Sequence, residues 1–222
     1  MTRQLKILVL FLAWLMYGLA GAHAGIPPQK LIWEPEIRTF EKKDQIQPPP
    51  QNAVLFVGSS SIRKWTTLAA DFPGVTVINR GFGGSQIDDS TAFASRIIFP
   101  YHPRLIVFYA GDNDLDAGKS PDQVVGEYTN FIGIVHAQLP QTRIIFIAIK
   151  PSLARWKLRD KIIETNHRIA AMQEPYLSFV DIYPSMLAAD GTPEKDLFLS
   201  DGLHPSEKCY RLWASLIRPY LN

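Results

Sequence analysis

The chain has 222 residues, 46% of them hydrophobic and 20% charged. That balance excludes collagen-like, coiled-coil and wholly disordered chains, and the length favours one domain, with or without an appended segment. A formal net charge of +2, with no block of like charge, gives no electrostatic case for nucleic acid or for an anionic membrane surface. The single cysteine, Cys209, excludes an internal disulfide and any zinc-ribbon pattern.

At the start, Arg3 and Lys6 precede an apolar run over residues 7–20, and Ala22-His23-Ala24 places small residues on both sides of a cut. Basic region, short apolar run and A-x-A site are the three parts of a secretory signal peptide. The run falls short of the ~20 apolar residues that a spanning helix needs. The expectation is therefore cleavage after Ala24 and a secreted or periplasmic protein. No cysteine follows the run, so no stable membrane anchor is expected. The leader carries two basic residues and no acid, which leaves the mature chain neutral.

Residues 25–51 are punctuated by Pro27-Pro28, Pro35 and Pro48-Pro49-Pro50. The triple proline must be extended, so this segment reads as a stiff strap. Within it, residues 35–46 form a short helix with Ile37 and Phe40 inward. The domain proper is expected over residues 52–222, without internal repeats.

There the pattern alternates. Val54-Leu55-Phe56-Val57, Val75-Thr76-Val77-Ile78, Leu105-Ile106-Val107-Phe108-Tyr109, residues 144–149 and Phe179-Val180-Asp181-Ile182 are apolar runs of the buried-strand type. Between them lie helical stretches. Ser120-Pro121 opens one with an N-cap and a proline at the first position, followed by Val124, Tyr128, Phe131, Ile132, Val135 and Leu139 on one face. Ile162, Ile163, Ile169 and Met172 mark another, and Tyr210, Trp213, Leu216 and Ile217 the last. Strands alternating with helices imply a five-stranded parallel sheet in a three-layer α/β/α sandwich.

In such sheets ligands sit outside the carboxyl ends of the strands. Gly58-Ser59-Ser60-Ser61 follows the first strand, Gly81-Phe82-Gly83-Gly84-Ser85 the second and Gly111-Asp112-Asn113-Asp114 the third. Asp201-Gly202-Leu203-His204-Pro205 follows the fifth, just before the last helix. A hydroxyl, a glycine backbone, a carboxamide and an Asp/His pair suffice for nucleophilic acyl transfer. His204 is the suitable base, and Pro205 keeps it extended. Asp201, three residues back, can reach its far ring nitrogen. The backbone N–H groups of Ser60 and Gly84 and the Asn113 amide would form the oxyanion hole. Alone, each feature has a plainer role, as helix cap or turn; their conjunction at the strand ends carries the reading. The physics does not separate Ser60 from Ser59.

The order of these blocks resembles the SGNH, or GDSL-type, esterases and lipases over residues 52–222. The resemblance implies the family's flavodoxin-like fold, with Ser60 as nucleophile in Phe56-Val57-Gly58-Ser59-Ser60. It gives Gly84 and Asn113 the oxyanion roles, and Asp201 and His204 the triad. It implies ester hydrolysis through an acyl-serine, on lipid-type esters such as lysophospholipids or on acetylated carbohydrate, with no metal or cofactor. Two positions depart from the family's pattern: Ser59 replaces its usual Asp, and Asp112 replaces a small or hydroxyl residue. Asp112 is expected either to weaken the adjacent donor or to contact a polar substrate.

Other features carry less. The acidic run from Asp112 has its glycine one place late for a calcium loop, with Gln123 at position twelve. Gly81-x-Gly83 lacks the third glycine of a dinucleotide loop, since Gln86 stands there. His23, His102, His136 and His167 are scattered, without zinc spacing, and Cys209 reads as a packing residue. Trp65, Phe82, Trp156 and Phe198 fall near the expected mouth, where core packing competes with lining a groove. An O-acetyltransferase would share the same machinery, with a sugar hydroxyl replacing water. A non-catalytic glycan-binding module would require no aligned base.

Overall fold

The computed structural model describes residues 27–221, so the expected leader lies outside the described residues. One compact unit begins at Ile32 and takes in the rest of the described residues. It is built on five parallel strands: β1 Val54–Gly58, β2 Val77–Gly81, β3 Leu105–Tyr109, β4 Arg143–Ile147 and β5 Leu177–Val180. Their order is β2-β1-β3-β4-β5, the flavodoxin-like arrangement, with its switch point between β1 and β3. β1 and β3 are buried at every position, as strands covered on both faces must be. The register aligns Gly58 with Gly81 on one side and Tyr109 on the other, so three strand ends finish level.

Among the described residues nine α-helices accompany the sheet: α1 Glu34–Ile46, α2 Ser60–Arg63, α3 Leu68–Asp71, α4 Ile87–Ala92, α5 Ala94–Ile97, α6 Asp112–Asp116, α7 Pro121–Gln138, α8 Arg159–Ala170 and α9 Glu207–Ile217. On one face Val54, Phe56, Val107 and Ile145 share a core with Trp65, Phe72 and Trp213. On the other, Phe108 stacks on Phe131 with centroids 4.3 Å apart, and Tyr128 meets Phe146 edge-on at 4.6 Å. α7 starts as the sequence suggests: Ser120 Oγ accepts from Gln123 N, and the Gln123 side chain accepts from Ser120 N. Cys209, Tyr210, Trp213 and Ile217 put one face of α9 in the core. Among the described residues no helix is long and apolar enough to cross a membrane.

Three strands lie off their expected positions: β5, expected over residues 179–182, runs over Leu177–Val180. β2 begins at Val77 and continues through Asn79-Arg80-Gly81. As an edge strand it tolerates polar residues that a purely apolar pattern misses. Arg80 is buried by pairing with Asp44 and by donating to Tyr101 Oη at 2.7 Å. β4 ends at Ile147, two residues early, with Ala148 and Ile149 buried beyond the ladder. α2 to α6 escaped the reading because four to six residues are too few to show a helical period.

α1 forms where a helix was expected, with Ile37 buried and Phe40 half-buried under the Arg80 guanidinium. Arg96 grips it from α5, bonding Glu34 at 2.6 Å and Glu41 at 2.6 Å. The bond from Arg96, seconded by Arg38, holds the Glu34 carboxyl down to about 2.

Candidate active site

Gly58 closes β1 with φ +136°, and a Cβ built there would sit 1.9 Å from the Tyr109 carbonyl oxygen. Only glycine fits so close to β3 in that conformation. Ser59 N–H then donates to the same carbonyl at 3.0 Å, and the chain turns directly into α2 with Ser60 as its first residue. The structure separates the three serines. Ser59 and Ser61 are buried, and Ser59 Oγ has no partner among the described residues. Ser60, half-buried, has Oγ 3.1 Å from His204 Nε2.

The second half of the site is a short loop folded on itself. Asp201 Oδ1 accepts the N–H groups of Leu203 and His204, both at 2.9 Å, and Gly202 takes φ +65° between them. Leu199 N–H donates to His204 O at 2.8 Å. These bonds leave Asp201 Oδ2 free to meet His204 Nδ1 at 2.6 Å. A carboxylate only accepts, so Nδ1 carries the proton and Nε2 turns its lone pair to the Ser60 hydroxyl. Burial alone would push the Asp201 carboxyl up. The His204 ring, with the His204 and Leu203 N–H groups, outweighs that and holds it well below the usual carboxylate range. Asp201 thus stays ionised beside the ring that it orients.

The expected oxyanion donors belong to segments stitched to the end of β1. Phe82 N–H donates to Gly58 O at 2.9 Å, and Ser85 Oγ donates to Phe82 O at 3.0 Å. Asn113 Nδ2 donates to Ser85 O at 2.9 Å, which brings α6 onto the glycine loop. Gly84 is exposed, and neither its N–H nor that of Ser60 donates within the described residues. The Asn113 amide spends one N–H on Ser85 O and keeps a second.

Asp112 corrects both expectations held for it. It is bonded by the backbone N–H of Asn113, not by the side-chain amide, and it is buried, with Oδ2 2.6 Å from Lys150 Nζ and 3.1 Å from Arg155 Nη1. Burial pushes its carboxyl up, and Lys150 and Arg155 reverse that to a net lowering. Arg155 Nη1 also donates to Asn113 Oδ1 at 3.0 Å, and Ala154 N–H donates to Gly202 O at 3.1 Å. The segment after β4 therefore touches both the amide and the Asp/His loop. Sequence reasoning missed it, although the strand-end rule, applied to β4 as it was to the others, leads to Lys150 and Arg155.

The remaining candidates fall elsewhere. Trp65, Phe82 and Phe198 are buried core residues; Trp65 also borders a pocket shared with Phe40, Arg63 and Asn79, and Trp156 is half-buried beneath Arg159. Trp33, which no sequence signal singled out, brings its ring within 3.3 Å of a Cβ built on Gly84 and packs edge-on against Phe82. Cys209 is buried, which pushes its thiol up to about 12. His102 and His167 are exposed, and His136 stacks on Tyr176 at 4.1 Å. Asp114, from the acidic run, joins Asp88 and Glu127 around Lys119 Nζ at 3.0, 3.7 and 2.6 Å.

No curated protein sequence matches the chain. Solved structures do. A Streptococcus pneumonia protein provisionally described as a platelet activating factor shares 21% identity at a TM-score of 0.76, covering 87% of this chain and 95% of its own. A GDSL-like lipase from Bacteroides thetaiotaomicron shares 21% at 0.70, with 83% and 96% covered. A carbohydrate esterase family 3 protein from Talaromyces cellulolyticus shares 20% at 0.57, with 76% and 95% covered. These likenesses concern the fold. The sequence itself matches the model of the GDSL-like Lipase/Acylhydrolase family over residues 51–212, and the chain belongs to that family.

Proposed function

We propose that the protein is an exported serine esterase in which Ser60, His204 and Asp201 cleave carboxylic esters through an acyl-serine intermediate. Family membership makes the chain an ester-hydrolysing enzyme; the residue roles, export and substrate are our reading. Its main support is the line of contacts from Ser60 Oγ to His204 Nε2 at 3.1 Å and from His204 Nδ1 to Asp201 at 2.6 Å.

In this reading the Ser60 hydroxyl proton passes to Nε2 as Oγ bonds the ester carbon. Charge gathering on the carbonyl oxygen is met by the N–H groups of Ser60 and Gly84 and by Asn113 Nδ2. The imidazolium, stabilised by ionised Asp201, then protonates the departing alkoxide. Water, deprotonated by His204, attacks the acyl carbon, and the acid leaves with Ser60 restored. Acetylated carbohydrate and lysophospholipid-type esters are the substrate classes proposed, the former suited to an exported enzyme.

The test is fluorophosphonate labelling together with release of p-nitrophenol from acetyl and butyryl esters. Wild type should react in both assays and Ser60→Ala in neither. Undiminished labelling of Ser60→Ala would remove Ser60 from the nucleophile role. Adding acceptor sugars to an acetylated-glycan assay separates water from a sugar hydroxyl as the acyl acceptor.

A further inference from the structure

Asn113 can serve a developing oxyanion only if its amide presents nitrogen, not oxygen, to the substrate. Both ends of that amide are already engaged. Nδ2 donates to Ser85 O at 2.9 Å, and Oδ1 accepts from Arg155 Nη1 at 3.0 Å. Exchanging the two ends would set Oδ1 against the Ser85 carbonyl and Nδ2 against the guanidinium. That is acceptor against acceptor and donor against donor. One N–H is then left over, with its direction fixed.

Arg155 is itself held. Its side chain is only 13% exposed, with Nη1 3.1 Å from Asp112 Oδ2 and Nη2 3.1 Å from Asp116 Oδ2. Asp112 is anchored in turn by Lys150, whose Nζ also donates to Tyr109 Oη at 2.9 Å. A planar fork between two carboxylates has little freedom to wander. The backbone beside it is pinned to the Asp/His loop through Ala154 N–H and Gly202 O.

Building on the roles proposed above, we infer that Arg155 is a positioning residue for ester cleavage, locking the Asn113 amide so that its remaining N–H points at the carbonyl oxygen. Arg155 touches neither the nucleophile nor the base. It acts through Asn113, and its acidic partners Asp112 and Asp116 set its place. The inference also gives Asp112 a function at the position where the family's usual small residue is absent.

A double-mutant cycle tests this with p-nitrophenyl acetate as substrate. Asn113→Ala should lose about 10²- to 10³-fold in kcat, as one oxyanion donor does. Arg155→Ala should lose about 10- to 100-fold in kcat with KM nearly unchanged, since the interaction matters in the transition state. In the Asn113→Ala background the same substitution should cost nothing further, because the amide it orients is gone. Arg155→Lys should regain part of the loss, since an ammonium still donates to Oδ1. Wild-type kcat in Arg155→Ala, or an equal loss in both backgrounds, overturns the inference. If Arg155→Ala does not fold, Arg155→Lys in the two backgrounds completes the same cycle. An active Ser60→Ala enzyme would instead overturn the reading of the site, and this inference with it.

Discussion

Asp112→Asn tests whether the buried charges beneath the site act as a unit. The substitution keeps size and shape but removes the carboxylate that faces Lys150 at 2.6 Å and Arg155 at 3.1 Å. Lys150, 1% exposed, would then be a buried ammonium with only neutral acceptors, Tyr109 Oη and the new amide oxygen. Breaking such a pair by removing one partner costs about 3–5 kcal/mol. For a domain of this size that lowers Tm by about 10 °C. Lys150→Met in the same chain removes the stranded cation. Because apolar replacement of a whole buried pair is about neutral, the double variant should recover most of the loss. Urea denaturation with an unchanged slope gives both values. The pH dependence has a definite sign. Lys150 and Arg155 lower the Asp112 carboxyl below its ordinary value, so its contribution is complete above the unfolded pKa of about 3.9 and is lost as pH falls through the folded one. The gap between wild type and variant should therefore be full at neutral pH and close in acid. A single variant within about 1 kcal/mol of wild type, or a double variant no better than the single, would refute the argument.

Asp201→Asn should lower kcat by about 10⁴-fold by favouring the wrong tautomer of His204; a loss under about tenfold in steady-state kinetics would deny Asp201 its orienting role. Gly58→Ala should yield no folded protein by circular dichroism, since its Cβ would meet the Tyr109 carbonyl at 1.9 Å, and a folded, active variant would contradict the close approach. Burial pushes the Asp114 carboxyl up to about 7 despite Lys119 at 3.0 Å. The folded state then binds the extra proton, so wild-type stability should fall as pH rises from about 4 to about 7. Asp114→Asn should flatten that part of the profile, as urea midpoints at about pH 5 and about pH 8 would show.

The sheet was legible because five apolar runs needed no help from tertiary context. β1 and β3 match their runs closely, as interior strands buried on both faces should. β2 was misplaced because Asn79 and Arg80 satisfy their polarity through partners outside the strand pattern. Asn79 bonds Ile62 O and Gly81 N, while Arg80 relies on Asp44 and Tyr101. No local pattern announces the Arg80 pairings, made across 36 and 21 residues. The same holds for α1, whose helical period was readable but whose grip by Arg96 was not.

In the site, sequence order told more than residue type. Ser60, Gly84, Asn113, Asp201 and His204 stood out because each follows a strand and each supplies a different chemical part. Choosing among three serines required geometry. Ser59 Oγ is enclosed at 1% residue exposure, whereas Ser60 Oγ meets the imidazole. Arg155 escaped because an arginine in a loop has no distinctive spacing. Its meaning lies in what its two ends of charge and its neighbour Ala154 touch at once. The consequence is physical as well as interpretive. An oxyanion site is effective when its dipoles are fixed before charge develops. The Asn113 amide, proposed as one such dipole, is fixed from outside the family's recognised blocks, by Arg155 after β4. On the roles proposed above, the fourth strand end supplies alignment where the other four supply reacting or charge-binding groups.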